Sequence, residues 1–129
     1  MLFRSPALPR PTIVLRDGEI VLGLGSAGSN RIRSAILQTI LRVVDDGLDA
    51  GEAVTAPRVH FEGGVLFTEP GVALDSVDIG RSAHAGFGEL NLFFGGVQAV
   101  QRDQAGSFWG GGDPRRGGAA IVVSDEDAA

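Results

Sequence analysis

The stretch whose residue types and spacing bear most directly on chemistry is Gly23-Leu24-Gly25-Ser26-Ala27-Gly28. It spells G-x-G-x-x-G between an aliphatic, strand-like run (Glu19–Leu24) and a helical pattern that starts near Ile32. Backbone N–H groups at a helix N-terminus point outward with partial positive charge. They can hold a phosphate, or a developing oxyanion in acyl transfer. Losing one oxyanion donor costs on the order of 2.7–4 kcal/mol of barrier. A third reading is structural: such glycines allow close packing and positive φ.

The dinucleotide reading is tempting because Asp45 and Asp46 follow at roughly the 20-residue distance of a ribose-binding acid. Three features oppose it. The preceding strand is the second arm of a predicted hairpin. Asp45 and Asp46 fall at the end of the helix, and no later βα repeats follow. The structural and oxyanion readings stay open on the residues alone, and a non-enzymatic nucleotide or phosphate binder through Gly23–Gly28 stays as an alternative.

Other candidate groups are sparse. His60 and His84 are the only histidines, and they form no metal-ligand spacing with nearby carboxylates. His60 reads as structural, at a helix-to-strand junction. Asp113, Arg115 and Arg116 read as a solvated ion-pair turn more readily than as a substrate-facing patch. Phe93, Phe94, Phe108 and Trp109 read as core or interface. Asp45, Asp46 and Asp49 read as a solvated helix end.

Composition narrows the classes. The chain has 129 residues, 43% hydrophobic and 21% charged, as expected of one folded domain. With no cysteine there is no disulfide or thiolate metal site. A net charge of −5 argues against nucleic acid as a partner. No apolar run nears the roughly 18 residues of a membrane span. Pro6, Pro9 and Pro11 interrupt the N-terminus and no apolar h-region follows, so a secretory signal is not expected there. All 11 basic residues are arginine, which suggests a GC-rich bacterial gene.

The elements that must position the glycines follow from patterning. Residues 1–10 read as an extended lead-in and 124–129 as a frayed acidic tail. Thr12–Arg16 and Glu19–Leu24 flank Asp17-Gly18, a hairpin signal. Ile32, Ala35, Ile36, Thr39, Ile40, Val43 and Val44 share one helical face. The predicted helix runs about Asn30–Asp46, capped by Ser29 or Asn30 and stopped by Gly47. Asp49-Ala50-Gly51-Glu52 is a capping box opening a short second helix. Arg58–Glu62 and Val65–Glu69 form a second hairpin about Gly63-Gly64. Residues 73–90 are ambiguous. Leu92–Phe94, Val97–Arg102, Ser107–Trp109 and Ala119–Val123 read as strands. This order predicts an α+β fold with largely antiparallel strands and two helices after the first hairpin.

One ordered set goes further. Pro11-Thr12-Ile13-Val14 and Asp17-Gly18 come first, followed by Gly25-Ser26-Ala27-Gly28-Ser29-Asn30-Arg31-Ile32 and Gln38. Next come Glu52–His60, then Gly110–Asp113 continuing through Pro114-Arg115-Arg116-Gly117-Gly118-Ala119-Ala120. In this order it resembles the C-terminal part of the small subunit of the γ-glutamyltransferase (γ-glutamyltranspeptidase) family, over residues 11–123. The resemblance implies part of an N-terminal-nucleophile hydrolase αββα sandwich. It implies a precursor that cleaves itself, whose new N-terminal threonine attacks a γ-glutamyl amide and passes the acyl group to water, an amino acid or a peptide. It implies no metal and no organic cofactor.

Carried over by position, the oxyanion pair falls on Gly28 and Ser29, with Gly25, Ser26 and Asn30 as supporting loop. The family's nucleophile lies well upstream of Pro-Thr-Ile-Val, where this chain has no counterpart, so no catalytic residue is expected in it. Thr12 is no substitute, since it follows Pro11 and begins a strand. The family's Ser-Ser pair, which holds the substrate α-carboxylate, falls on Ala7 and Leu8, which cannot donate hydrogen bonds. The expectation is a fragment that is inactive alone and lacks the large subunit and the N-terminal part of the small subunit. A γ-glutamyl compound or peptide would be the parent's substrate, and a related amidohydrolase or acylase is the alternative. The compartment stays open, although family members are often exported.

Overall fold

In a computed structural model of the chain, residues 11–28, 30–75 and 77–123 are described. The expected lead-in and acidic tail lie outside them, as do Ala7, Leu8 and Ser29.

β1 (Thr12–Arg16) and β2 (Glu19–Ala27) form the first hairpin. Asp17 and Gly18 both have positive φ, 52° and 84°, as a two-residue turn matched to strand twist requires. α1 (Ile32–Val44) and α2 (Ala50–Thr55) follow, then β3 (Val59–Glu62), β4 (Val65–Thr68), β5 (Ala83–Gly86), β6 (Gly96–Arg102) and β7 (Phe108–Gly112). One sheet has the order β1-β2-β6-β7 and is antiparallel throughout. The smaller sheet is β3-β4-β5, whose β4–β5 pair is parallel.

The core lies between the larger sheet and the helices. Leu22, Leu24, Val97 and Ala99 meet Ala35 and Val43 of α1 and Ala50, Ala53 and Val54 of α2. The alternation of buried positions along β2 puts Leu22, Leu24 and Ser26 on this side and Gly23 and Gly25 on the other. The glycine run of β7 is explained by pressure from both faces. A Cβ on Gly111 would lie 2.3 Å from the Ala50 carbonyl oxygen, so α2 rests directly on the strand. On the opposite face a Cβ on Gly110 would lie 2.6 Å from the Ala120 Cβ, and one on Gly112 2.4 Å from the Ala119 nitrogen. Elsewhere that opposite face is open, and Ile13, Val100 and Phe108 are each more than half exposed. A second cluster, Phe67, Phe87, Phe93 and Phe94, packs ring on ring beside the smaller sheet.

Several local expectations change. α1 begins at Ile32, with Arg31 in its N-cap position and no side-chain cap, because Asn30 turns its amide toward Glu62 instead. The Asp49–Glu52 capping box forms as expected, with reciprocal bonds of 2.8 and 3.0 Å. Leu92–Phe94 is a 3-10 turn rather than a strand, because the Asn91 carboxamide accepts from the Phe93 N–H and bends the chain. Residues 119–123 form no strand, since they cross over β7 instead of pairing beside it. Within 73–90 only β5 is regular.

Candidate functional site

The glycine segment divides differently from its spelling. Strand pairing continues through Ala27, with Gly25 opposite Gln98, Ser26 opposite Val97 and Ala27 opposite Gly96. Gly25 and Ser26 therefore belong to β2 rather than to a loop. β2 runs antiparallel to both neighbours, which removes the parallel strands a dinucleotide fold needs. The turn itself starts at Gly28, whose φ is +152°, a conformation that L side chains rarely adopt. Space is available there: a Cβ would sit 3.6 Å from Gly95 Cα and 3.7 Å from Ile32 Cγ1. Conformation, not crowding, selects glycine. Beyond the turn, the first turn of α1 has neither a side-chain cap nor an acidic residue among the described residues.

Beneath Gly28 lies the Gly95-Gly96 backbone. Ser26 Oγ donates to the Gly96 carbonyl at 2.7 Å in a buried hydrogen bond. Arg58 Nη1 donates to the Gly95 carbonyl at 3.0 Å. The Asp113 carboxylate accepts from the Val97 N–H at 2.9 Å and from Arg58 Nη2 at 2.7 Å. Asp113 also accepts from the Arg115 N–H, and Arg115 clasps Glu69 through two of its nitrogens. Glu69 in turn accepts from the Arg58 N–H and the Asn91 N–H, both at 2.9 Å.

This overturns the solvated reading of the Asp113 turn. Asp113, Glu69 and Arg58 are at most 2% exposed, and Arg115 is 8% exposed. Lone buried charges would be prohibitive, but here two cations face two anions and the remaining donors reach backbone carbonyls. Burial first, then the charge of Arg115, pushes the Arg58 pKa down against the pull of Asp113. For Arg115 burial also works downward, but its hydrogen bond and charge pairing with Glu69, then Asp113, outweigh it and raise the pKa. The sequence reading missed Arg58 and Glu69. The one available signal was Arg58 directly after Pro57, within the ordered motif set.

The other side of α1 is fastened to β3. Gln38 donates to the Val59 carbonyl and accepts from the Val59 N–H, at 2.8 and 2.9 Å. Arg31 pairs with Glu62 at 2.9 Å and stacks 3.8 Å above the Phe93 ring. His60 is buried, with Nδ1 2.7 Å from Ser34 Oγ. It packs edge-on to Phe93, consistent with a structural role. No metal-binding group of His, Cys, Asp or Glu is found among the described residues. No helix there is long and apolar enough to cross a membrane.

A cleft of about 310 Å³ opens beside Gly28. Its walls are Pro11, Gly25, Ser26, Ala27, Gly96, Gln98 and Arg116, and it continues into a groove along Ile13, Gly23 and Val100 on the open sheet face. The site thus brings together Gly25, Ser26, Gly28 and Arg116. Asn30 faces away, toward Glu62.

Comparison with known proteins bears on the family and the fold. The profile of the Gamma-glutamyltranspeptidase family matches residues 4–123. The chain is 34% identical over 107 residues to a glutathione hydrolase proenzyme of Escherichia coli (strain K12), covering 81% of this chain and 18% of that protein. It is 42% identical over 62 residues to an acylase ACY 1 proenzyme of Pseudomonas sp. (strain SE83), covering 48% of this chain and 11% of that protein. It therefore spans a fifth or less of the length of these relatives. The solved γ-glutamyltranspeptidase of Pseudomonas nitroreducens superposes with a TM-score of 0.73 at 26% identity, over 96% of this chain and 67% of that one. The fold is α+β, part of the N-terminal-nucleophile hydrolase sandwich, with α1 and α2 as one helical layer and β1-β2-β6-β7 as one sheet. By sequence profile, by relatives and by superposition, this chain belongs to the γ-glutamyltranspeptidase family.

Proposed function

We propose that the chain is the oxyanion-bearing part of a γ-glutamyltransferase or glutathione hydrolase. It would be inactive alone and would act with a nucleophile carried on polypeptide outside it. The observation that carries this is the Gly28 turn. It follows β2, leads into a helix whose first turn is uncapped, and adjoins Ala27 and Arg116, two walls of a cleft on the exposed sheet face.

In this reading a threonine Oγ attacks the acyl carbon, and the carbonyl oxygen gains negative charge. The backbone N–H groups of Gly28 and Ser29 take that charge, at on the order of 2.7–4 kcal/mol of barrier each. Water, an amino acid or a peptide then accepts the acyl group. Thr12 is inside β1 with a peptide nitrogen, and Ser26 Oγ is committed to Gly96, so neither serves as nucleophile. The exposed Ile13, Val100 and Phe108 suit burial by the missing polypeptide, a second layer on the sheet.

Purified alone, the chain should leave a γ-glutamyl anilide intact. Co-expression with the polypeptide encoded directly upstream should restore turnover. Robust hydrolysis by the chain alone would sink the reading. The acylase relative supports a second reading, which the same complex separates: preference for a glutaryl anilide, lacking the α-amino group, would favour an acylase.

A further inference from the structure

The cleft beside Gly28 has one charged wall, and the backbone is shaped to hold it. Arg116 is exposed and closes the one-turn segment Pro114–Arg116. Its Cγ and Cδ each lie 2.8 Å from where a Cβ on Gly96 would stand, so the stem lies flat on the glycine backbone. Its Nη2 ends 3.9 Å from the Cβ position of Gly28. A side chain at position 96 would displace the arginine from the cleft.

Among the described residues Arg116 makes no ion pair. The nearby cations Arg58 and Arg115 are already matched by Asp113 and Glu69. The remaining cleft walls are neutral, and Gln98 adds a side-chain amide. Guanidinium carries five N–H donors and no acceptor, so a free one in a cleft calls for an anion.

We propose that Arg116 makes this cleft a carboxylate subsite and so sets which ligands sit beside the Gly28 turn. This rests on the functional reading above, and it adds a determinant on this chain. The planar guanidinium fork pairs with two oxygens of either anion, but one cation among neutral walls balances the single charge of a carboxylate and not the near-double charge of phosphate at neutral pH.

The test uses the full chain, labelled with nitrogen-15 and titrated with glutarate, neutral glutaramide and inorganic phosphate. Glutarate should give a saturable shift of the Gly28 and Gly96 amides, and glutaramide should not. R116Q should weaken the glutarate response about tenfold, the scale of losing a charged hydrogen bond. R116K keeps the charge without the fork, should fall between, and serves if R116Q does not fold. No saturable shift in the unmodified chain, equal binding by both variants, or tighter binding of phosphate would each overturn the proposal. The two readings fail separately. Glutarate binding without turnover in the co-expressed complex would sink the function alone, and turnover with KM unchanged in R116Q would sink the subsite alone.

Discussion

Asp113 is the residue on which the ion cluster can be tested most sharply. Its carboxylate is fully buried and accepts from Arg58, Val97 and Arg115. Asp113→Asn keeps the shape but removes the charge. Arg58 and Arg115 then face only Glu69, which leaves one positive charge buried without a counterpart. Breaking a buried pair in this way costs about 3–5 kcal/mol. Against a whole-domain stability of about 5–15 kcal/mol, this is a large share. With a urea slope of about 2 kcal/mol/M, the midpoint should fall by roughly 1.5–2.5 M. Asp46→Asn, at the exposed end of α1, is the matched control and should stay within about 0.5 kcal/mol. The Val97 amide should shift most in the variant's spectrum, because it donates directly to Asp113, and the Gly96 amide should follow, because Arg58 holds the Gly95 carbonyl of the same peptide unit. A midpoint within about 0.3 M of the parent at unchanged slope would refute the reasoning. The cluster would then be a bystander rather than the support beneath the cleft.

Three further outcomes follow from the same geometry. Gly111→Ala should destabilise by about 3 kcal/mol or more in urea titration, because its Cβ would lie 2.3 Å from a backbone oxygen of α2. Ser26→Ala should cost about 1–3 kcal/mol by the same assay, since it leaves the buried Gly96 carbonyl without its donor. Stability should be nearly flat from about pH 7 to pH 9 as far as the two buried arginines are concerned. The raised pKa of Arg115 gives stability that is complete below the unfolded arginine value and lost only as pH climbs through the folded one. The depressed pKa of Arg58 acts in the opposite sense and favours folding only above the unfolded value. Urea midpoints across that window check this, and a steep slope there would point to another titrating group.

The local elements were legible where short-range chemistry decides them. Asp17-Gly18 specifies a turn because both residues tolerate positive φ, and the turn forms there. Asp49 and Glu52 specify a capping box because each reaches the other's backbone three residues away. The ordered motif set, read as a whole, was enough to reach the family. Expectations failed where distant partners decide. Gly25 and Ser26 became strand because β6, some 70 residues on, pairs with them. Leu92–Phe94 and residues 119–123 had strand-like composition, but one was bent by Asn91 and the other lies across β7.

The glycine loop shows the division most clearly. Sequence alone determined that a glycine-rich segment joins a strand to a helix, because alternation, helical periodicity and glycine are local properties. It did not determine that Gly28 is the residue with the turn conformation, nor that Asp113 and Arg115 are buried beneath it. Burial and charge pairing are properties of surfaces that meet only after folding. Asp113 and Arg58 are 55 positions apart in the chain and 2.7 Å apart in the fold. No pattern along the chain encodes that approach; it arises when α2, β6 and the segment after β7 close around the same point.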